Sequence, residues 1–310
     1  MPTPTEIYNA NVSKLQTQLN TTIRNINLMR VSNLFKKKLI ASAITVSNAN
    51  LKKITDKYNQ DIASVSAKTA FLVGINYTGT INELYGCIND TKNVQDLLKS
   101  KYNFTNVTLL NDETSDKPTK QNILNGLKTL LSNTNSGDTA FFMFSGHGTC
   151  TADLNGDETD GQDEIILPID AVSIQTCILD DELNKVIRNG LKPGAKLVAL
   201  FDSCFSGTVL DLSYTYGYPD NTKASETVGD VYMISGCTDQ QTSMDTVAPI
   251  NGKTMASGAM TYAFLSMIKE TALMGDLVTK MQAFLKDNGY SQRPLLSSGK
   301  KVDYGKTVFL

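Results

Sequence analysis

The sequence predicts an α/β fold in which a mainly parallel central sheet is flanked by helices and preceded by a helical N-terminal extension. From Lys68 onward, short apolar runs typical of buried strands alternate with amphipathic helical segments, the pattern of a parallel sheet built from βαβ units. Residues 1–67 differ, because they contain no glycine and carry apolar residues at helical spacing. Apolar residues make up 41% of the 310 residues, enough for a substantial core.

Two amphipathic helices are expected in the extension, residues 1–67. Their apolar stripes are formed by Val12, Leu15, Leu19, Ile23 and Ile26, and by Leu34, Phe35, Leu39, Ala43 and Ile44. The run Lys36–Lys38 is interpreted as a solvated helix face. The extension is a candidate regulatory prodomain.

Strands and helices alternate in the next part of the chain. We predict a strand over 70–75, a helix over 89–99, a strand over 107–110, a helix over 118–131, a strand over 140–144, an extended segment over 165–167, a helix over 181–189 and a strand over 196–200. Residues 149–163 are predicted to form a polar acidic loop.

The last third of the chain begins with a polar segment. Residues 213–227 are rich in Tyr, Thr, Ser and Asp, which predicts a linker or an exposed loop. Beyond it we predict a strand over 231–234, helices over 257–271 and 276–288, and a terminal strand over 307–310.

Composition argues against several classes of protein. The net charge of −2 does not indicate a nucleic-acid-binding protein. Five scattered cysteines form no C-x-x-C pair and accompany one histidine, which excludes a zinc finger. Met1–Glu6 lacks the features of a signal peptide, and no apolar run is long enough to span a membrane. We expect a cytoplasmic protein without nucleic-acid or membrane partners.

The chemistry of the chain centres on a thiol and an imidazole, those of Cys204 and His147. Each follows a predicted buried strand, and open α/β sheets bind ligands at the carboxyl ends of their strands. His147 is the only histidine. The pair predicts covalent catalysis, with Cys204 as the nucleophile. His147 would either accept its proton or stand beside it as an imidazolium that stabilises the thiolate. The backbone N–H groups of Gly148 and Cys204 are candidate oxyanion donors, and no third catalytic residue is assigned.

Asp202 lies two residues before Cys204, so both side chains point to the same face if the strand extends that far. An unpaired carboxylate beside the thiol would raise the thiol pKa. That is unfavourable unless the carboxylate binds a cationic group of the substrate, which would favour cleavage beside Lys or Arg. The alternative is that Asp202 caps a turn, and the residues alone do not decide between the two roles.

The acidic segment 153–164 matches an EF-hand calcium loop at its first and last positions. However, Glu158 stands where that loop requires glycine, and a strand precedes it where an EF-hand has a helix. We therefore reject an EF-hand. A different calcium site, built with carboxylates such as those of Asp180, Asp181 and Asp211, remains open.

Six motifs, in chain order, resemble those of metacaspases: Val73–Tyr77, Gly86–Asp90, Ser145–Gly148, Cys177–Asp181, Asp202–Gly207 and Ile234–Ser243. The resemblance covers residues 68–310. It implies a caspase-like sandwich with a large-subunit-like region over 68–212, the linker over 213–227 and a small-subunit-like region over 228–310. It also implies a calcium-dependent cysteine endopeptidase that cuts after Arg or Lys.

The same resemblance assigns residues to the site. Cys204 would be the nucleophile and His147 its partner. The residues that would line the pocket for the basic side chain of the substrate are Cys87, Asp90, Ser145 and Asp202. The residues that would hold calcium are Asp163, Asp180, Asp181 and Asp211.

The chain also departs from common members of the family. Phe205 follows the nucleophile where many metacaspases have His, a position not thought to be catalytic. The insertion that separates the two regions in plant-type members is absent, so we expect a compact monomer acting on protein or peptide substrates with Arg or Lys at the cleaved position. The candidate self-cleavage sites are Lys52, Lys53, Lys68 and Lys223.

Two alternative functions stay open. One is a catalytically silent, caspase-like scaffold, against which the presence of both Cys204 and His147 argues. The other is an Asp-specific protease of the caspase type. A comparison of peptides ending in Arg and in Asp distinguishes it from the Arg/Lys-specific enzyme.

Overall fold

The computed structural model describes residues 2, 4–153, 161–204, 206–216, 224–236, 245–250, 253–271 and 273–303. The chain forms two compact units, Met1–Ser66 and Ala67–Leu310. Among the described helices, none combines the length and the apolar character needed to cross a lipid bilayer. Phe205, Lys223 and the strand predicted over 307–310 lie outside the described residues.

The first unit is a hairpin of two long helices, α1 (Pro4–Leu28) and α2 (Asn33–Val65), as predicted. Tyr8 packs on Tyr58, with ring centroids 4.6 Å apart. The first predicted apolar stripe, on α1, is the better protected of the two stripes. Ile26 is buried, and Val12, Leu15, Leu19 and Ile23 are half-buried. The second stripe is covered only in part, at Leu39 and Ala43.

The second unit is built on a seven-stranded sheet. In spatial order its strands are β2 (Asn106–Asn111), β1 (Lys68–Gly74), β3 (Thr139–Ser145), β7 (Lys196–Asp202), β9 (Asp230–Ser235), β12 (Leu295–Ser298) and β8 (Tyr214–Tyr216). The first five are parallel, and β12 runs antiparallel to both of its neighbours. The prediction of a mainly parallel central sheet is confirmed.

Helices cover both faces of this sheet. One face carries α3 (Cys87–Tyr102), α6 (Ala259–Met267) and α7 (Met274–Asp287), and the other carries α4 (Lys120–Ser132) and α5 (Asp180–Gly190). Successive residues of β3 point to opposite faces, so Phe141 packs in the first core and Phe142 in the second. Burial on both faces explains why β3 is a continuous apolar run.

Two small antiparallel sheets complete the second unit. One contains β4 (Gly148–Ala152), β5 (Gln162–Ile166) and β6 (Ile178–Leu179), and the other contains β10 (Asp245–Ile250) and β11 (Lys253–Gly258). The predicted acidic loop 149–163 is therefore in part a β-hairpin. The predicted extended segment 165–167 covers only the end of β5. The prediction misses β4 and the start of β5 because they are short and partly polar, and acidic residues such as those in β5 are depleted in strands.

Three further segments differ from the prediction. The predicted linker 213–227 contributes β8, a three-residue edge strand of the central sheet. The helix predicted over 257–271 begins only at Ala259, because Ser257 and Gly258 still pair with β10. Strand β12 was not predicted, since its Leu-Leu-Ser-Ser sequence is short and does not alternate.

The pairing of β3 with β7 positions the candidate site. The two strands are parallel neighbours in the middle of the sheet, with Ser145 opposite Asp202. Because both strands end at the same edge, the turns that carry His147 and Cys204 begin side by side.

Candidate active site

The turns that carry Cys204 and His147 are in direct contact. A Cβ atom on Gly148 would overlap the carbonyl oxygen of Cys204, so only glycine allows the two backbones to approach this closely. Cys204 and His147 are both partly exposed, unlike the buried strands that precede them. The structure thus places the predicted nucleophile and the predicted base at one accessible edge of the sheet.

The imidazole of His147 is oriented by a backbone carbonyl. Its Nε2 atom lies 2.8 Å from the carbonyl oxygen of Asn82. A carbonyl oxygen only accepts hydrogen bonds, so Nε2 carries the proton in this contact and Nδ1 is left to accept one. The Asn82 carbonyl thus orients the imidazole of His147. The sequence does not reveal this partner, since any residue type supplies a carbonyl.

Tyr77 holds the turn that carries His147. The N–H of His147 donates to the Tyr77 hydroxyl at 2.9 Å, and that hydroxyl donates to the carbonyl of Leu167 at 2.6 Å. The two rings pack with their centroids 4.7 Å apart. Burial raises the pKa of Tyr77 well above its ordinary value, so the hydroxyl keeps the proton that it donates. Tyr77 is therefore a positioning residue for His147.

The backbone of Tyr77 is itself unusual. Its φ of 51° lies in the left-handed region, which residues other than glycine adopt at a cost of about 1–3 kcal/mol. The surrounding contacts of the tyrosine ring and hydroxyl offset that cost. Such outliers concentrate at functional sites, consistent with a role in placing the imidazole.

The residues predicted to line the substrate pocket are all buried: Cys87, Asp90, Ser145 and Asp202. Asp90 lies in the first turn of α3 and accepts hydrogen bonds from the hydroxyls of Ser145, at 3.0 Å, and Ser257, at 2.5 Å. The N–H of Gly258 also donates to it, at 3.0 Å. Burial raises the pKa of Asp90 well above its ordinary value and the charge of Asp202 adds to the shift, while these three hydrogen bonds oppose it.

Asp202 binds the N-terminal turn of α6. Its carboxylate accepts from the N–H of Thr261 at 2.8 Å and from the hydroxyl of Thr261 at 2.7 Å. A carboxylate is favourable at a helix N-terminus, so Asp202 caps a helix that is distant in sequence, whereas the alternative interpretation expected it to cap a turn. Its charge also faces that of Asp90, so capping and a role in an acidic pocket are compatible.

The junction between β11 and α6 covers both carboxylates. A Cβ on Gly258 would overlap the carboxylate of Asp202, and one on Gly86 would lie 2.9 Å from the Cα of Ser257. Glycine at both positions lets the backbone seal the two acids from solvent. Sequence reasoning missed Ser257 and Gly258, because their neighbours predict a longer helix.

A second acidic cluster combines Glu164, Asp180 and Asp211. Carboxylate oxygens of these buried residues lie within 4.8 Å of one another. The Thr208 hydroxyl donates to Glu164 at 2.6 Å, and the N–H of Glu164 donates to Asp180 at 2.6 Å. Burial raises the pKa of Asp180 to about 7, hydrogen bonds from Glu164 and Asp181 oppose the shift, and the charge of Asp163 adds to it. An all-oxygen, anionic set of this kind fits a hard cation such as Ca²⁺.

This cluster overlaps the predicted calcium ligands without matching them fully. Asp180 and Asp211 are shared, whereas Glu164 takes the place of Asp163 and Asp181 in the group. Asp163 and Glu164 are consecutive residues of β5, and consecutive strand residues point to opposite faces. The sequence could have identified Glu164 as a ligand only if β5 had been recognised as a strand, because the alternation of strand residues then separates it from Asp163.

Comparisons with known proteins bear on this geometry. The family model described as metacaspase, peptidase C14 domain, matches residues 68–213. Metacaspase-2 of Trypanosoma brucei brucei is 36% identical over 265 residues, which span 78% of this chain and 76% of that protein. Metacaspase-1 of Kluyveromyces lactis is 35% identical over 295 residues, spanning 76% and 67%.

The chain belongs to the metacaspase family. It is thus a member of a family of cysteine peptidases. A solved structure of a Geobacter sulfurreducens protein, 20% identical to this metacaspase, aligns with a TM-score of 0.57 over 78% of this chain and 97% of that one. At that identity the likeness supports the fold alone, and it agrees with the caspase-like sandwich.

The contacts of Tyr77 predict a catalytic effect without loss of the fold. Tyr77→Phe removes the hydrogen bonds with His147 and Leu167, and we expect kcat/KM to fall roughly tenfold, mainly through kcat, since each bond contributes on the order of 1 kcal/mol. Asn82→Ala is the matched control: it keeps the carbonyl, so its kcat/KM should stay within about twofold of the parent value. Steady-state kinetics on a fluorogenic peptide measure both, and a parental kcat in Tyr77→Phe would contradict the role.

The raised pKa of Asp90 predicts a pH dependence of stability. A folded-state pKa above the unfolded one adds stability at low pH that is lost as the pH rises through the folded-state pKa. Asp90→Asn should therefore gain stability relative to the parent as the pH rises, because the substitution removes a carboxyl group that must ionise inside the fold. Urea denaturation at several pH values measures this, with the exposed Asp96→Asn of the same helix as the control. A difference that does not change with pH would refute the prediction.

Proposed function

We propose that this metacaspase is a calcium-dependent cysteine endopeptidase that cleaves after Arg or Lys through Cys204 and His147. The observation that carries the proposal is the contact between the turns after β3 and β7, where Gly148 lies against the Cys204 backbone. It places a thiol and the only histidine at the edge where parallel sheets bind ligands. Two buried carboxylates next to that edge support the choice of a cationic substrate.

The proposed reaction begins with proton transfer from the Cys204 thiol to Nδ1 of His147. The thiolate attacks the carbonyl carbon of the scissile bond, and the N–H groups of Gly148 and Cys204 stabilise the oxyanion. His147 then gives its proton to the departing amine, which leaves an acyl thioester on Cys204. Water, deprotonated by His147, releases the acid and restores the thiol. The Asn82 carbonyl stabilises the imidazolium through Nε2–H throughout.

The proposed specificity rests on Asp90 and Asp202. A guanidinium or ammonium group would offset the repulsion between these two buried carboxylates. An Asp side chain would bring a further acidic group to this pair, which argues against the Asp-specific alternative. Since Ser257 and Gly258 now occupy Asp90, the β11–α6 junction must move away for the substrate to enter.

The proposed calcium site is the cluster of Glu164, Asp180 and Asp211. Calcium would supply the positive charge that these buried carboxylates lack. Asp211 also belongs to the segment after the nucleophile, where its N–H donates to the Thr208 carbonyl at 2.7 Å. Asn184 of α5 donates to the Leu210 carbonyl at 2.7 Å. A cation held here would brace the chain that follows Cys204, and so couple metal binding to the position of the thiol.

Self-cleavage and a monomeric working state are further parts of this proposal. Lys52 and Lys53 lie within α2, and Lys68 begins β1 with its ammonium pKa lowered by burial. A peptidase binds an extended substrate, so cutting at these three sites requires local unwinding first. The fourth candidate site, Lys223, lies outside the described residues.

The decisive experiment compares fluorogenic peptides that end in Arg, Lys or Asp, with calcium present. We expect cleavage after Arg and Lys only. Cys204→Ala and His147→Ala should each abolish it, and the double variant should be no worse, because residues that act as a unit are not additive. Asp202→Asn should lower kcat/KM for the Arg peptide, since losing one partner of a buried charge pair costs about 2–5 kcal/mol.

Cys150→Ala, which removes another partly exposed thiol, is the control and should keep its activity. Efficient cleavage after Asp would refute the specificity. Failure of the unmutated chain to cleave any of the peptides would favour the silent scaffold.

Calcium dependence is tested by chelation and by variants of the acidic cluster. Chelator should abolish activity, and Glu164→Gln and Asp180→Asn should each weaken calcium binding at least about tenfold, since each removes a charged ligand. Asp163→Asn and Asp181→Asn are the informative comparisons, because the resemblance includes both and the observed cluster includes neither. Calorimetric titration measures the affinities. Full activity in chelator would end the proposal, and an unchanged affinity in Glu164→Gln would exclude that ligand.

A further inference from the structure

The helical hairpin has a strongly one-sided charge. Residues 7–55 contain no Asp or Glu but eight Lys and Arg residues. The unit Met1–Ser66 has nine basic and three acidic residues, a net charge of +6. The whole chain has a net charge of −2, so the remaining residues carry −8. Such asymmetry within one chain points to a partner of opposite charge for the basic part.

The turn of the hairpin also exposes apolar side chains. We call residues 28–38 the tip, where α1 ends and α2 begins. Five large apolar side chains are exposed within eight residues, to fractions of 73% at Leu28, 45% at Met29, 42% at Val31, 67% at Leu34 and 50% at Phe35. Scattered exposed apolar residues are ordinary, whereas a contiguous group marks an interaction surface.

Basic side chains surround this apolar group. Lys36 donates to the carbonyl of Asn27 at 2.8 Å and so caps the end of α1. Within the described part of the chain, the side chains of Arg30, Lys37 and Lys38 make no hydrogen bond or ion pair. The tip therefore presents apolar groups and three uncommitted cations together.

The presence of apolar and basic side chains together at the tip favours one class of partner over others. A nucleic acid would use the cations and leave the five apolar side chains in water. A second copy of the hairpin could cover the apolar side chains, but it would bring one positive surface against another. An anionic bilayer surface accepts both, because apolar side chains enter the boundary between headgroups and acyl chains while Lys and Arg remain at the phosphates.

We propose that the tip binds the surface of an anionic phospholipid membrane. The binding would be peripheral and reversible, with Leu28, Leu34 and Phe35 entering the interface and Arg30 and the lysines bound to lipid headgroups. This proposal revises two expectations from the sequence, that Lys36–Lys38 is merely a solvated face and that the protein has no membrane partner. It does not depend on the proposed peptidase function.

The test uses all 310 residues of the chain with Cys204→Ala, which prevents self-cleavage. The chain contains no Trp, so Phe35→Trp provides a single fluorescent reporter at the tip. We expect its emission to shift to the blue, and the protein to sediment with vesicles, when phosphatidylserine is added to phosphatidylcholine. High salt should reverse the binding, because screening weakens the attraction to the surface charge.

Variants locate the binding at the tip. Replacing Lys37 and Lys38 by Gln should weaken vesicle binding about 25-fold, since each basic residue near an anionic surface contributes about a fivefold effect. Leu28→Ser with Leu34→Ser should also abolish the emission shift. The controls are Val172→Ser, an apolar residue elsewhere that is even more exposed, and Lys52→Gln with Lys53→Gln, away from the tip. Circular dichroism verifies that the exposed substitutions leave the helices formed.

Four results would overturn the proposal. The first is equal binding to vesicles with and without phosphatidylserine, and the second is no binding to either. The third is an emission already blue-shifted without lipid, together with a mass that rises with concentration, which would assign the tip to a second copy. The fourth is binding to a DNA duplex but not to vesicles, which would assign the basic residues to nucleic acid.

Discussion

The in-register parallel pairing of β3 and β7 is the constraint on which the site depends. Both strands are buried on both faces, so they leave no room for reactive groups along their length. Polar chemistry can begin only where the strands end, at Ser145 and Asp202, which face each other across the pair. His147 and Cys204 each follow two residues later. The distance between the two reactive turns is thus set by the spacing between neighbouring strands.

The turn that carries Cys204 lies between two buried acidic groups along the chain. Asp202 precedes the nucleophile and binds α6, and Asp211 follows it and joins Glu164 and Asp180. Burial of carboxylates is unfavourable unless hydrogen bonds or a cation compensate. Each group is held by donors from another element, from the β11–α6 junction for Asp90 and from the Thr208 hydroxyl for Glu164. The turn that carries Cys204 is consequently flanked on both sides by buried carboxylates that other parts of the fold hold in place.

The sequence predicts those parts of the molecule whose signals are local. Strands β1, β3, β7 and β9 are uninterrupted apolar runs, so their positions are predicted to within about two residues. Strand β4 and the first residues of β5 are missed because Asp163 and Glu164 are typical of a loop, and that error hides Glu164. The Asn82 carbonyl has no sequence signal at all. The role of Gly258 is recognised only in the structure, where the absence of a side chain makes room for the Asp202 carboxylate.

The junction between β11 and α6 binds Asp90 as an internal ligand. Ser257 and Gly258 already supply donors of the kind that a guanidinium would supply, so in the proposed pocket a basic side chain would have to displace an internal competitor before it binds. Apparent affinity then scales with the fraction of molecules in which the junction is open. A side chain that replaces several donors at once competes better than one that replaces a single donor. Selectivity between Arg and Lys would thus depend partly on how tightly the β11–α6 junction binds Asp90 in the unliganded protein.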